Sequence, residues 1–265
     1  MKIGLAGLVA LVLVLSGCGI GDPTQTKACR ALADQVPGIT GVTEATFTDV
    51  MAGGLPRCTG DVTLAQGLSD AERGRVVGAV YDVIRTRGVK EVEFTTRFAL
   101  GGGTLTVASG LPTAEQATQV LEIASSAHAD PVEIAYSKPT LLATFHAPLA
   151  TTSPAASLRE GLALVRMPPP AGYSELDWYL GDRIVAPTLA TDEASRLEGL
   201  AAWFDRNPLV TSYTLKIRAG IQTWTLQTSQ EAPDVVRDFA ATAGAGAPVK
   251  VSASLPGKPP YLTLP

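Results

Sequence analysis

Val92-Glu93-Phe94-Thr95-Thr96-Arg97-Phe98, then Gly101-Gly102-Gly103, then Thr104-Leu105-Thr106-Val107: this run decides the fold. Val92, Phe94, Thr96 and Phe98 alternate with Glu93, Thr95 and Arg97, and Leu105 and Val107 alternate with Thr104 and Thr106. A period of two places successive side chains on opposite faces, so the run is a hairpin with one buried and one wet face. The three glycines join the strands. They do not open a helix, which makes them turn chemistry and not a nucleotide fingerprint.

On either side of this hairpin the period changes to that of a helix. Upstream, Ser69 and Glu72 form a capping box ahead of the stripe Val76, Val80, Val83 and Ile84; downstream, Thr113 and Gln116 form another ahead of Ala117, Val120, Leu121 and Ala124. A helix and two strands is thus the unit, and it recurs about every forty residues, six times in all. The expected first helix is Lys27 to Val36, followed by strands Val42 to Val50 and Asp61 to Gln66. Strands Val132 to Ser137 and Leu141 to Phe145 complete the third unit. Ser153 and Pro154 open the fourth helix, with Pro where its missing N–H costs nothing, and strands Tyr173 to Leu180 and Arg183 to Ala186 follow. A fifth helix after Thr191 leads to a hairpin pairing Tyr213, Leu215 and Ile217 with Trp224 and Leu226. The sixth carries Val235, Val236, Phe239 and Ala240 and ends in strands at Val249 to Ser254 and Tyr261 to Leu264.

Units two and three match units five and six: Pro131-Val132-Glu133-Ile134 answers Pro248-Val249-Lys250-Val251, and Lys138-Pro139-Thr140 answers Lys258-Pro259-Pro260. This reads as an internal duplication of about 120 residues, with a first α+β lobe over 27–147 and a second over 153–265. The expected fold class is α+β, in tandem ferredoxin-like βαββαβ blocks whose antiparallel sheets carry their helices on one face. The opposite face would then present Thr95, Arg97, Thr104 and Thr106 in one half and Thr214, Lys216, Arg218, Thr223 and Thr225 in the other. Those residues form the expected binding surface; solvated polar positions are the plainer account of the same pattern.

The first eighteen residues have a separate meaning. Lys2 gives a positive start, Ile3 to Val14 an apolar run too short for a comfortable membrane span, and Leu15-Ser16-Gly17-Cys18 a small-residue end. These residues resemble the lipobox of bacterial lipoproteins. The resemblance implies that residues 1–17 are a signal peptide, and that Cys18 is diacylated on sulfur and becomes the new N-terminus. The chain would then be held at the extracytoplasmic face of the cell membrane. Two acyl chains anchor stably where one binds only marginally. Residues 18–26 are expected to be a flexible tether; from Gly19 onward it spans on the order of 15 Å. The Ala/Gly/Val-rich, Lys-poor composition is similar to that of actinobacterial proteins.

With Cys18 lipidated, Cys29 and Cys58 remain as an even pair in an oxidising compartment, and a disulfide between them is expected. The bridge would pin the first helix to its sheet; no Cys-x-x-Cys redox spacing is present.

Chemistry is otherwise sparse. The net charge of -4, with no Lys/Arg cluster, argues against nucleic acid as a partner. Neither a Gly-x-Ser-x-Gly elbow nor a His-Glu-x-x-His helix nor a phosphate loop occurs. His128 is read as a complement to a helix C-terminus, and with Asp130 it makes only a two-ligand fragment, so no metal or cofactor is expected. Trp203 and Trp224 fall at buried-type positions and are read as core. Glu175, Asp177 and Asp182 lie beside Trp178 and Tyr179, where carboxylates near aromatic rings could serve acid–base chemistry on a sugar. Glu175 and Asp177 also fit the solvated face of an ordinary edge strand. The sequence therefore points to a non-catalytic binding or interaction module anchored to the membrane, with another envelope protein as its expected partner. A cell-envelope hydrolase using the acidic group and a purely structural envelope protein stand as alternatives.

Overall fold

The computed structural model describes residues 23–52, 55–86, 93–108, 110–137, 140–245 and 247–265. Cys18 and the expected signal segment lie outside them, as do Val92 and Lys138-Pro139. The described residues form a mixed α+β structure of six helices and a single twelve-stranded sheet. In chain order the elements are α1 (Pro23–Gln35), β1 (Val42–Ala52), β2 (Leu55–Leu64), α2 (Asp70–Thr86), β3 (Glu93–Ala99) and β4 (Thr104–Ala108). Next come α3 (Ala114–Ala127), β5 (Val132–Ser137), β6 (Thr140–Ala147), α4 (Pro154–Val165), β7 (Tyr173–Leu180) and β8 (Ile184–Pro187). The last units are α5 (Thr191–Arg206), β9 (Val210–Arg218), β10 (Ile221–Thr228), α6 (Pro233–Ala243), β11 (Val249–Ser254) and β12 (Pro260–Leu264).

The capping residues act as their chemistry requires. The Ser69 N–H donates to the Glu72 carboxylate at 2.8 Å while the Glu72 N–H donates to the Ser69 hydroxyl at 3.3 Å. Thr113 and Gln116 repeat this exchange at the start of α3, and the Ser153 hydroxyl accepts from the Ala156 N–H at the start of α4. Helix α1 begins at Pro23, so its first turn takes up residues expected to be tether. Strand β2 starts at Leu55, six residues before the expected Asp61, and Cys58 is within that strand instead of ahead of it.

The strands lie in the sheet in their chain order, β1 to β12. Each hairpin is antiparallel, while the two strands flanking each of α2 to α6 are immediate, parallel neighbours. The expectation of separate antiparallel sheets is corrected here: the sheet is one, and mixed. Each block keeps the element order βαββαβ, but a split βαβ unit places a third strand between the two that its helix connects. In this chain those two strands bond to each other directly, which lets every hairpin extend the sheet left by the one before. The sheet passes without a break from β6 to β7, across the expected boundary between lobes.

Its faces differ completely. Laterally paired residues share a face, and the pairs Val62–Phe98, Leu105–Val132, Phe145–Trp178, Ile184–Leu215 and Trp224–Val251 are all buried. The helices cover that side. On it α2 meets α3 closely enough that a Cβ on Gly78 would lie 2.6 Å from the backbone nitrogen of Ala114. Farther along, Trp203, Phe204, Tyr213, Trp224 and Phe239 form an aromatic cluster, and the Trp203 Nε1–H donates to Asp238 at 2.6 Å. Cys29 and Cys58 are buried and joined by a disulfide that ties α1 to β2, as expected.

The direction of successive strands has a topological consequence. Neighbouring helices cross between strand pairs that point opposite ways, yet they advance across the sheet in the same sense and lie on the same face. Successive crossovers therefore have opposite hands, and alternate ones depart from the usual right-handed rule. A shift of two units restores strand direction, whereas a shift of three reverses it. The sequence match at about 120 residues thus aligns β5 with β11, which run in opposite directions.

Candidate functional site on the uncovered sheet face

The face without helices is assembled from the polar half of each alternation. Thr95 and Arg97 on β3, Thr104 and Thr106 on β4, Thr214, Lys216 and Arg218 on β9, and Thr223 and Thr225 on β10 all lie there, half-buried or exposed. The structure brings them onto one surface. It does not bring the two groups together, because β5 to β8 intervene. Strand spacing of about 4.8 Å separates β4 from β9 by roughly 24 Å.

The halves also differ in charge. Arg97 pairs with Asp61 at 3.0 Å, and Glu133, Glu175 and Asp177 bring acids to the middle of the face. At its far end the charge is positive. Thr223 is paired laterally with Lys216 on one side and Lys250 on the other, so the hydroxyl sits between two ammonium-bearing positions. Arg218 follows two residues along β9, on the same face. Lys216, Arg218, Thr223 and Lys250 line a shallow concavity of about 450 Å³ together with Tyr179, Val185 and Ile221. Among the described residues, none of the three cations makes an ion pair. Lys250 was not among the expected surface residues; its strand reads as an ordinary terminal one, and only the register of β10 with β11 reveals its neighbours.

A second concavity of about 250 Å³ adjoins the first and shares Tyr179, Val185 and Arg218 with it. Glu175 and Asp177 line it. Partial burial, with the nearby Asp177 charge, raises the Glu175 carboxyl above its ordinary range. Burial likewise raises Asp177, while the Arg218 guanidinium opposes that shift. Asp182 lies apart in the β7–β8 turn with its side chain almost fully exposed, so the expected group of three acids is a pair. Strand β7 is interior to the sheet, between β6 and β8, and is not the edge strand expected.

The histidines are separated in role. His128 occupies the left-handed C-cap of α3 with φ of 51°, its backbone N–H directed at the Ala124 and Ser125 carbonyls. His146 belongs to β6, and its ring stacks on Tyr179 at 4.7 Å. Sequence alternation alone did not reveal that stack, since it depends on β6 pairing in parallel with β7. Trp203 and Trp224 are buried, as read from the sequence.

Among the described residues no helix is long and apolar enough to cross a membrane. Among the described residues, the side chains that gather three potential metal-ligand atoms are Cys29, Asp49 and Cys58, of which the two sulfurs are already bonded to each other. Compared with protein-family models, with curated proteins and with solved structures, the chain has no match.

Proposed function

We propose that this chain is an extracytoplasmic lipoprotein, acylated at Cys18, that works as a non-catalytic binding module through the uncovered face of its sheet. The observation that carries the reading is the contrast within that sheet. One face is packed throughout by helices, and the other gathers unneutralised cations, hydroxyls and apolar side chains in a shallow concavity. Binding sites need a few polar groups held on a rigid support, and here Lys216, Arg218 and Thr223 stand on β9 and β10, whose buried faces carry Tyr213 and Trp224 of the aromatic cluster. The buried disulfide fits an oxidising compartment. In this reading the ferredoxin-like character lies in the βαββαβ order of each block, used to extend a surface and not to close a separate domain.

Two measurements on the chain expressed in an actinobacterium test it. Intact-mass analysis should find a mature end at Cys18 carrying a diacylglyceryl group; an unacylated end removes the anchor. Photo-crosslinking residues at Thr106 and Thr225 should capture envelope components in the native membrane, while one at Ser195 on α5 should not. Equal capture from both sides, or from neither, contradicts the module.

A further inference from the structure

We infer that the concavity formed by Lys216, Arg218, Thr223 and Lys250 binds the phosphate group of an organic phosphate ester, an inference that rests on the binding-module reading and names its ligand class. Lys216 and Lys250 each pair laterally with Thr223, so two like charges stand on one strand face with a hydroxyl between them and repel across it. Lys216 and Lys250 are two strands apart, about 10 Å between backbones, with Arg218 next along β9, and among the described residues no carboxylate lines the concavity with them. Asp177, in the adjoining concavity, feels the Arg218 charge but makes no ion pair with it. A bound anion would supply the missing countercharge.

The donor set favours phosphate over carboxylate. A carboxylate is satisfied by one guanidinium fork, whereas a tetrahedral phosphate offers oxygens to several separated donors at once. Two lysines act as point charges on either side of the Thr223 hydroxyl, and Arg218 supplies the fork. The rest of the lining is Tyr179, Val185 and Ile221, with Ile221 40% exposed to solvent. That apolar wall suits the ester's organic part, and a volume of about 450 Å³ suits a small molecule or a single headgroup. Either a soluble phosphate ester or a membrane phospholipid carries this chemistry.

The test uses the full acylated chain in vesicles of phosphatidylcholine, titrated calorimetrically with phenyl phosphate and, separately, with benzoate. Phenyl phosphate should bind saturably and benzoate at least about tenfold more weakly. Arg218→Ala should weaken phenyl phosphate by about tenfold, consistent with loss of a charged hydrogen-bonding partner. Lys216→Ala with Lys250→Ala should do the same, and Arg237→Ala on α6 should leave binding within twofold. Unchanged thermal unfolding of each variant separates lost binding from lost folding. Repeating the titration in phosphatidylglycerol vesicles distinguishes the sources. Weakened phenyl phosphate binding there means that the headgroup competes for the site, and equal binding means a soluble ester; both agree with the inference. Absence of saturable binding, equal affinity for benzoate, or indifference to the three substitutions overturns it. If bare-face crosslinks persist in that event, the module reading stands and only the ligand class falls.

Discussion

The two faces of the sheet are built from the same strands yet obey different physics. On β10, Trp224 is fully buried against Tyr213 and Phe239, while Thr225, the next residue, is exposed with its hydroxyl accepting from Ser252 at 3.3 Å. One peptide unit separates a residue that holds the fold from one available to a ligand. The lesson is that stability and binding can be altered independently in this chain, because the side that carries one barely contributes to the other.

The sharpest way to break that division is Trp224→Ala, which should cost about 3–5 kcal/mol in urea unfolding through the cavity it leaves. Little loss would mean the covered face is not the core. Replacing Cys29 and Cys58 together by alanine should cost about 2–4 kcal/mol, because the bridge closes a chain segment with a sequence separation of 29. Next is Gly78→Ala. A helix interior ordinarily gains about 1 kcal/mol from that change. Here the new Cβ meets the Ala114 backbone, and a net loss of about 2 kcal/mol is expected in the same assay.

Glu160→Gln should have a smaller, pH-dependent effect. Its carboxylate accepts from the N–H groups of Ala150 and Thr151 and from the Thr151 hydroxyl, pinning the connection between β6 and α4. Burial pushes its acidity one way, but those hydrogen bonds outweigh it and hold the carboxyl below its ordinary value. Its stabilisation is therefore present above the ordinary glutamate range and lost as pH falls through the lower folded value. At neutral pH the substitution should cost about 1 kcal/mol, and the wild-type advantage should vanish in acid. The least effect belongs to the bare face. Thr225→Ala should stay within about 0.5 kcal/mol of the parent. Glu175→Gln should raise the melting temperature slightly near neutral pH. Its raised carboxyl makes the folded chain bind more protons than the unfolded one, so stability falls as pH climbs above the ordinary glutamate range.

Local signals in the sequence were enough to place most elements. Capping boxes at Ser69 and Thr113, the Ser153–Pro154 start and the strand alternation each depend on contacts within a few residues. Pairing of distant strands does not. Nothing in Leu141 to His146 announces a parallel neighbour at Tyr173 to Tyr179, so a continuous mixed sheet was replaced by antiparallel blocks. The same limit hid the Tyr179–His146 stack and the approach of Lys250 to Thr223. Pro56 and Gly60 weaken the strand pattern around Cys58, so the expected strand begins only after it, at Asp61. In the structure Gly60 faces the Phe47 ring on β1, where a Cβ would collide with the ring.

The central claim is that the uncovered face is the working surface, and one measurement addresses it directly. Single cysteines at Thr106 and Thr223, and for comparison at Ser195 and Glu198 on α5, would be labelled with a membrane-impermeant maleimide in intact cells and in the purified chain. Slower labelling at the first two positions in cells, with equal rates at the last two, is the predicted result. Equal rates at all four positions in both settings would contradict it.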